Sequence, residues 1–178
     1  MDLKALLPES SRNTAERVAE HMLLHPEIMD EMMQLAFSNK GIMSTRAANV
    51  IEKADEMDAC FVRPYYKTIL EALPSVTYPG AKRCLLKIFT REYFPGNEDL
   101  AGLLMSFCFD TIQKPKEEIG IRYYCMMILH SQSQLYPEIG TELKLILEEQ
   151  LPHYGAALRN RAGKIIRDID KKLKKMQE

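Results

Sequence analysis

The chain has 178 residues, of which 46% are hydrophobic and 28% charged, a composition typical of globular rather than disordered proteins. Its 24 basic and 25 acidic residues give a formal net charge of −1, which excludes a polycation that coats nucleic acid through bulk charge. This length favours a single domain.

Apolar residues recur at helical spacing (i, i+3, i+4, i+7) through almost the whole chain. The first stripe follows Ser10 and Ser11, which are suitable N-cap residues, and the second ends at Asn39-Lys40-Gly41. The third opens at Ser44-Thr45, the fourth closes at Pro74 and the fifth closes near Pro95-Gly96. These stripes predict five helices, at 15–23, 28–36, 47–54, 62–73 and 81–89.

Four further stripes predict helices at 100–112, 121–135, 139–151 and 158–173. Asn97 opens the first of these, and Pro137 closes the second. Because no segment alternates between apolar and polar residues as a half-buried strand does, the sequence predicts an all-α protein of nine helices.

Every second helix from the third onward opens with an arginine at the same place in its apolar pattern. These residues are Arg46, Arg83, Arg122 and Arg161, at intervals of 37, 39 and 39 residues. A fixed period of about 38 residues indicates one N-terminal helix followed by four helix pairs, each of which buries its apolar face against its neighbours.

The pattern Arg-Ala-Ala-x-x-Ile at 46–51 resembles the HEAT repeat of the armadillo/HEAT class, and the resemblance covers roughly 26–176. It implies a right-handed α-α superhelix of antiparallel pairs. The chain would then be one repeat domain, with a capping helix at 1–25 and pairs at 26–60, 61–96, 97–136 and 137–178. A single globular bundle of nine helices is the alternative.

Seven apolar residues are predicted to lie between the helical layers. They are Ile51, Leu70, Leu85, Leu104, Ile128, Leu147 and Ile166. The four cysteines, Cys60, Cys84, Cys108 and Cys125, fall in apolar patterns and include no C-x-x-C pair, so we expect small buried hydrophobes rather than disulfides. No secretory leader and no membrane span is evident, which predicts a soluble cytoplasmic protein.

The recurring arginines belong to a set of polar residues that share one register on the second helices. The resemblance implies that second helices line a concave surface, where these residues would form a basic strip that binds a partner. The candidates are Arg46, Asn49, Lys53, Arg83, Lys87, Arg122, Arg161 and Lys164. The alternative is a structural ladder, in which each arginine bonds to an acid or a turn carbonyl of a neighbouring repeat.

The last helix has an uneven charge. Residues 155–178 carry a net charge of +5 and the remainder carries −6. Helix-dipole and capping effects are one sufficient explanation of this excess. A contact with an anionic partner is the alternative explanation.

Catalytic signatures are missing from the sequence. His21 and His25 have the spacing of a zinc pair, but the intervening Met-Leu-Leu lacks the glutamate of H-E-x-x-H, and no Gly-rich phosphate loop or G-x-S-x-G elbow occurs. We therefore predict a non-enzymatic scaffold with no cofactor or metal. Its concave surface would bind a protein or peptide partner, for example one with an acidic segment.

The alternative function is nucleic-acid binding, because the fold resembles that of the HEAT-like alkylpurine DNA glycosylases. Those enzymes hold the duplex backbone on a basic concave face and use aromatic residues, notably Trp, near the lesion. This chain contains no Trp, so the protein-binding prediction is preferred.

Overall fold

The computed structural model describes residues 3–92, 94 and 97–175. These residues form helices and no strand, which confirms the predicted all-α class. The α-helices are α1 (Leu3–Leu6), α2 (Arg12–Leu24), α3 (Met29–Phe37), α4 (Ile42–Met57), α5 (Ala59–Val62), α6 (Tyr66–Ala72), α7 (Pro79–Phe89), α8 (Glu98–Ile112), α9 (Ile119–Gln132), α10 (Pro137–Gln150) and α11 (Ala156–Lys175).

The helices belong to two compact units whose boundary falls within α8. Unit 1 extends to Leu103, and unit 2 begins at Leu104. In unit 1, α4 packs against α2, α3 and α7, and in unit 2, α9, α10 and α11 pack against one another. No helix in the described part of the chain is both long and apolar enough to cross a membrane.

The predicted interior is confirmed at six of its seven positions. Ile51, Leu70, Leu85, Leu104, Ile128 and Leu147 are all buried. The prediction is wrong for Ile166, which is only half-buried, because Ile165 and Ile169 of α11 face the core instead. One residue corresponds to a rotation of about 100° around a helix axis, so an error of one position moves a side chain towards the edge of the buried stripe.

Hydrogen bonds between side chains and distant residues follow the predicted period. Several such bonds among the described residues join positions 36 to 39 apart, and each lies within one unit. Examples are Asn39 Nδ2 to Ser75 O, Arg46 Nη1 to Leu7 O, Arg91 Nη1 to Glu52 Oε1 and Lys172 Nζ to Ser133 O. Equivalent places in neighbouring repeats are therefore in direct contact.

Proline sets several helix boundaries. Pro64 lies in a 3₁₀ turn, Arg63–Tyr65, which separates α5 from α6 because proline supplies no backbone N–H for the α-helical ladder. The fourth predicted helix, at 62–73, is therefore interrupted after its first residue. Pro137 begins α10 rather than closing α9, since its fixed φ suits the first turn of a helix. The predicted Pro95-Gly96 stop lies outside the described residues.

The cysteines are less uniform than predicted. Cys108 and Cys125 are buried and Cys84 is intermediate, but Cys60 is exposed, so the expectation of four buried hydrophobes is wrong for Cys60. Its place in the four-residue α5 leaves its side chain at the surface. Burial raises the pKa of Cys84 to about 11, which keeps that thiol protonated at neutral pH.

Candidate functional site

The eight predicted contact residues lie on the four helices that the sequence places second in each pair. Their positions are Arg46, Asn49 and Lys53 on α4, Arg83 and Lys87 on α7, Arg122 on α9, and Arg161 and Lys164 on α11. The first five belong to unit 1 and the last three to unit 2. Within each unit, the side chains differ in how far they reach solvent.

Arg46 fixes the segment that connects α1 to α2. Its Nη1 donates to the carbonyl oxygen of Leu7 at 2.8 Å, and its Nε donates to Ser10 Oγ at 3.0 Å. Asn49 borders the same place, where a cavity of about 20 Å³ lies beside Arg46. Arg46 therefore makes the contact with a turn carbonyl that the structural-ladder alternative describes.

A buried carboxylate organises the charges between α4 and α7. Glu52 is 1% exposed and accepts from Arg91 Nη1 at 2.7 Å, with Lys87 Nζ at 3.0 Å from the same oxygen. A buried charge is costly unless it is paired and hydrogen-bonded, and these two cations supply the pairing. The ammonium group of Lys87 is therefore engaged in an ion pair with Glu52.

Lys53 is the most deeply placed of the predicted lysines, at 6% exposure. Its Nζ donates to Glu56 and lies 3.5 Å from a Glu52 oxygen. Burial by itself would lower the pKa of Lys53, but the hydrogen bond to Glu56 and the charge of Glu52 outweigh it, so the pKa is raised. Lys53 therefore stays charged and belongs to an internal ion network.

Asp55 extends this network to α6. It accepts from the Tyr66 hydroxyl at 2.6 Å and from Arg91 Nη2 at 2.9 Å. Burial and then the bond to Asp55 raise the pKa of Tyr66, so the hydroxyl remains a donor. Glu52, Asp55 and Arg91 were not predicted from the sequence. Arg91 follows Glu52 by 39 residues and Asp55 by 36 residues, close to the repeat interval, and this spacing is the signal that could have identified them.

Arg122 has an internal position in unit 2. It is 8% exposed, and its Nη2 donates to the Ile112 carbonyl at 3.3 Å and to Gln150 Oε1 at 2.9 Å. Its guanidinium carbon lies 4.8 Å from the centre of the Tyr154 ring. These contacts join the end of α8, the start of α9 and the end of α10.

The remaining predicted residues are more accessible. Arg83 and Lys164 are exposed, and Arg161 is half-buried with its guanidinium carbon 5.8 Å from the centre of the Tyr123 ring. Lys164 belongs to a row of exposed cations on α11, which we call the basic face. The basic face consists of Lys164, Arg167, Lys171, Lys174 and Lys175.

The side chains of the basic face have no bonded partner among the described residues. None of its five side chains makes a hydrogen bond or an ion pair with another described residue. At 100° per residue the five fall within an arc of about 100°, and they extend about 16 Å along the helix. Two acidic residues of α11 lie beside them: Asp168, whose Oδ2 is 3.9 Å from His130 Nε2 of α9, and Asp170, which pairs with Lys144 of α10. This arrangement creates a concentrated positive surface in unit 2.

The described residues do not assemble a metal-binding group. No set of three or more His, Cys, Asp or Glu side chains among them is placed to hold a metal ion. The rings of His21 and His25 lie 4.3 Å apart, centre to centre, and His25 Nδ1 lies 3.3 Å from Glu27.

Comparison with known proteins gives a match at the level of the family. A family model described as a HEAT repeat domain matches residues 3–169. No curated protein matches the chain, and no solved structure matches it. The matched range spans all eight predicted contact residues and nearly all of the nine longer helices.

Proposed function

Because the chain belongs to the HEAT repeat family, whose repeats typically mediate protein interactions, we propose that it is a non-enzymatic scaffold that binds an acidic segment of a protein partner along the basic face. The observation that carries the proposal is that the five cations of this face are exposed and form no hydrogen bond or ion pair with other described residues.

The contrast with the other candidate cations supports this location. Arg46, Lys53 and Arg122 are each held by neighbouring groups, so a partner would have to displace those contacts first. The side chains of the basic face need no such exchange. Electrostatic complementarity of this kind raises the association rate and sets the register of a partner more than it adds affinity.

The experiment measures fluorescence anisotropy of a labelled 15-residue peptide rich in glutamate. We expect saturable binding that weakens as salt is added, because screening reduces attraction between exposed charges. The variant Lys164→Glu/Lys171→Glu should weaken binding at least tenfold. The matched control Lys40→Glu/Lys67→Glu changes two exposed lysines of unit 1 and produces the same net charge, and it should bind as the parent does.

Two outcomes would contradict the proposal. Equal loss in both variants would show that net charge alone governs binding, and unchanged binding in both would show that the basic face is only solvated. A labelled DNA duplex of 20 base pairs tests the second candidate function, which the same face favours. Tighter binding of the duplex, with a steep salt slope, would replace the acidic protein segment with nucleic acid.

Lys53 and Lys87 are unsuitable for this test. A reversal at either position would place a second carboxylate beside Glu52, which is buried. Unfolding would then follow from like-charge repulsion and would say nothing about a partner.

A further inference from the structure

An open cleft of about 360 Å³ lies in unit 2, against the first turn of α9 and the first turn of α11. Its walls include Ile119, Arg122, Tyr154 and residues 155–158, and no acidic residue lines it. A volume of this size is in the range of sites for small molecules, which begins at about 300 Å³. The composition of the walls then decides what kind of molecule fits.

The first turn of α11 presents free backbone donors to this cleft. The Gly155 carbonyl accepts the first helical hydrogen bond, from Arg159 N at 2.9 Å, so Gly155 is the N-cap and has no side chain to bond the next amides. No acidic residue occurs in the first turn of this 20-residue helix. The positive end of its dipole and the N–H groups of Ala156, Ala157 and Leu158 therefore lack a negative partner there.

Arg122 adds a buried positive charge to the same wall. The acceptors of its hydrogen bonds are the neutral oxygens of Ile112 and Gln150, and no carboxylate in the described part of the chain forms an ion pair with it. Its Nε has no hydrogen-bond partner. A charge that is 8% exposed and unpaired is costly, and an anion held nearby would compensate it electrostatically.

Tyr154 is a second buried polar side chain of the cleft, at 2% exposure, and its hydroxyl lies beside Arg122 but donates to no described acceptor. Burial raises the pKa of Tyr154, so the group remains a protonated donor. Pro115, Ile119 and Leu158 supply apolar surface beside these polar groups. The cleft thus combines donors without acceptors, a buried positive charge that no described carboxylate pairs with, and a hydrophobic wall.

We infer that this cleft binds a small organic anion, with its carboxylate or phosphate at the first turn of α11 beside Arg122 and its apolar body against Ile119. The inference is independent of the proposed function, because none of the residues of the basic face lines the cleft.

The test is an amide NMR titration of the full chain with four probes. Phenyl phosphate and phenylacetate carry both an anion and an apolar body, inorganic phosphate carries the anion alone, and 2-phenylethanol carries the body alone. We expect saturable shifts at 156–158 with the first two probes, at least tenfold weaker binding of inorganic phosphate, and no saturation with 2-phenylethanol. The relative affinity of the first two probes distinguishes a phosphate from a carboxylate ligand.

Variants separate the cleft from the rest of the molecule. Ala157→Glu places a carboxylate at the exposed first turn of α11, where it satisfies the dipole, so it should abolish binding without lowering the melting temperature. The neutral control Ala157→Gln should bind like the parent. Arg122→Gln should weaken binding at least tenfold, and if that variant does not fold, the Ala157 pair still decides the outcome.

The inference is overturned if no anionic probe saturates at 50 mM, if Ala157→Glu binds like Ala157→Gln, or if 2-phenylethanol binds as tightly as phenyl phosphate. If inorganic phosphate binds as tightly as phenyl phosphate, the inference that the ligand has an apolar organic body is wrong. The variant Lys164→Glu/Lys171→Glu should leave the cleft unaffected, so failure of the proposed function and failure of this inference give different results.

Discussion

Individual charged residues on the second helices differ in what their side chains reach. Glu52, Lys53 and Asp55 lie on the buried side of α4, where each finds a partner of opposite charge within unit 1. Lys164 lies three residues after Arg161 on α11 and extends into solvent. Removing one residue of a buried ion pair leaves an uncompensated charge. The cations around Glu52 therefore contribute to stability whether or not another protein binds to the chain.

Ile51 and Ile166 provide a matched pair for testing the interior, because the sequence aligns them five residues after their arginines. Ile51 is fully buried and Ile166 is half-buried. Ile51→Ala should destabilise the chain by about 2–5 kcal/mol, the range for a truncation that leaves a cavity, and Ile166→Ala by less than half as much. Urea unfolding measures both. Equal losses would show that α11 is seated more deeply than the structure indicates.

Burial along the helices could be predicted from the sequence better than the reach of polar side chains. The apolar stripe identified six of seven interior residues because a hydrophobic face repeats with the helix period. The same pattern predicted Lys53 and Lys164 on one face of their helices, yet Lys53 is buried and Lys164 is exposed. Register fixes the side of a helix, whereas the position of a long cationic side chain also depends on the acids near it. These acids lie on the same helix, as Glu56 does for Lys53, or in another repeat, as Glu52 does for Lys87.

At the scale of helices, α4 and α7 meet closely at one glycine. A Cβ atom at Gly80 would lie 2.4 Å from Thr45 Oγ1 and 3.0 Å from Thr45 Cγ2, both shorter than van der Waals contact. Thr45 is β-branched, so its side chain has little freedom to move away. The absence of a side chain at Gly80 therefore permits the two second helices of unit 1 to approach each other at this point.

Gly80→Ala should be destabilising despite the higher helix propensity of alanine. Overpacking costs about 1–3 kcal/mol and the propensity gain is at most about 1 kcal/mol. Adding Thr45→Ala should restore most of the loss, which a double-mutant cycle in urea would reveal. Gly102→Ala is the control, since nothing lies within 4 Å of its added Cβ in α8, and it should be neutral or stabilising. A Gly80→Ala protein as stable as the parent would contradict the close approach.

The number of longer helices and their repeat interval could be predicted from the sequence, because apolar period and arginine spacing are both strong signals. The division between α5 and α6 was missed, although Pro64 is visible in the sequence, because apolar residues at helical spacing continue on both sides of it. The four-residue α1 was also missed, since one turn of helix carries too little periodicity to be recognised.

On the scale of the whole molecule, burial is distributed unevenly between helices. Nine of the 16 residues of α4 are buried, compared with four of the 20 residues of α11. Helices with few buried residues open at lower free energy than those at the centre of a repeat array. α11, one of the longer helices with few buried residues, also carries the basic face and borders the cleft.

Hydrogen exchange should therefore be slowest in α4 and fastest, among helices of comparable length, in α10 and α11. Native-state exchange followed by NMR would give the opening free energy of each amide, and Ile51→Ala should accelerate α4 while leaving α11 nearly unchanged. Protection of α11 equal to that of α4 would contradict this gradient. A partner on the basic face binds the folded form of α11, so the glutamate-rich peptide should slow exchange in α11 alone, in proportion to its occupancy. The same experiment therefore connects the uneven stability of the molecule to the surface on which we place its function.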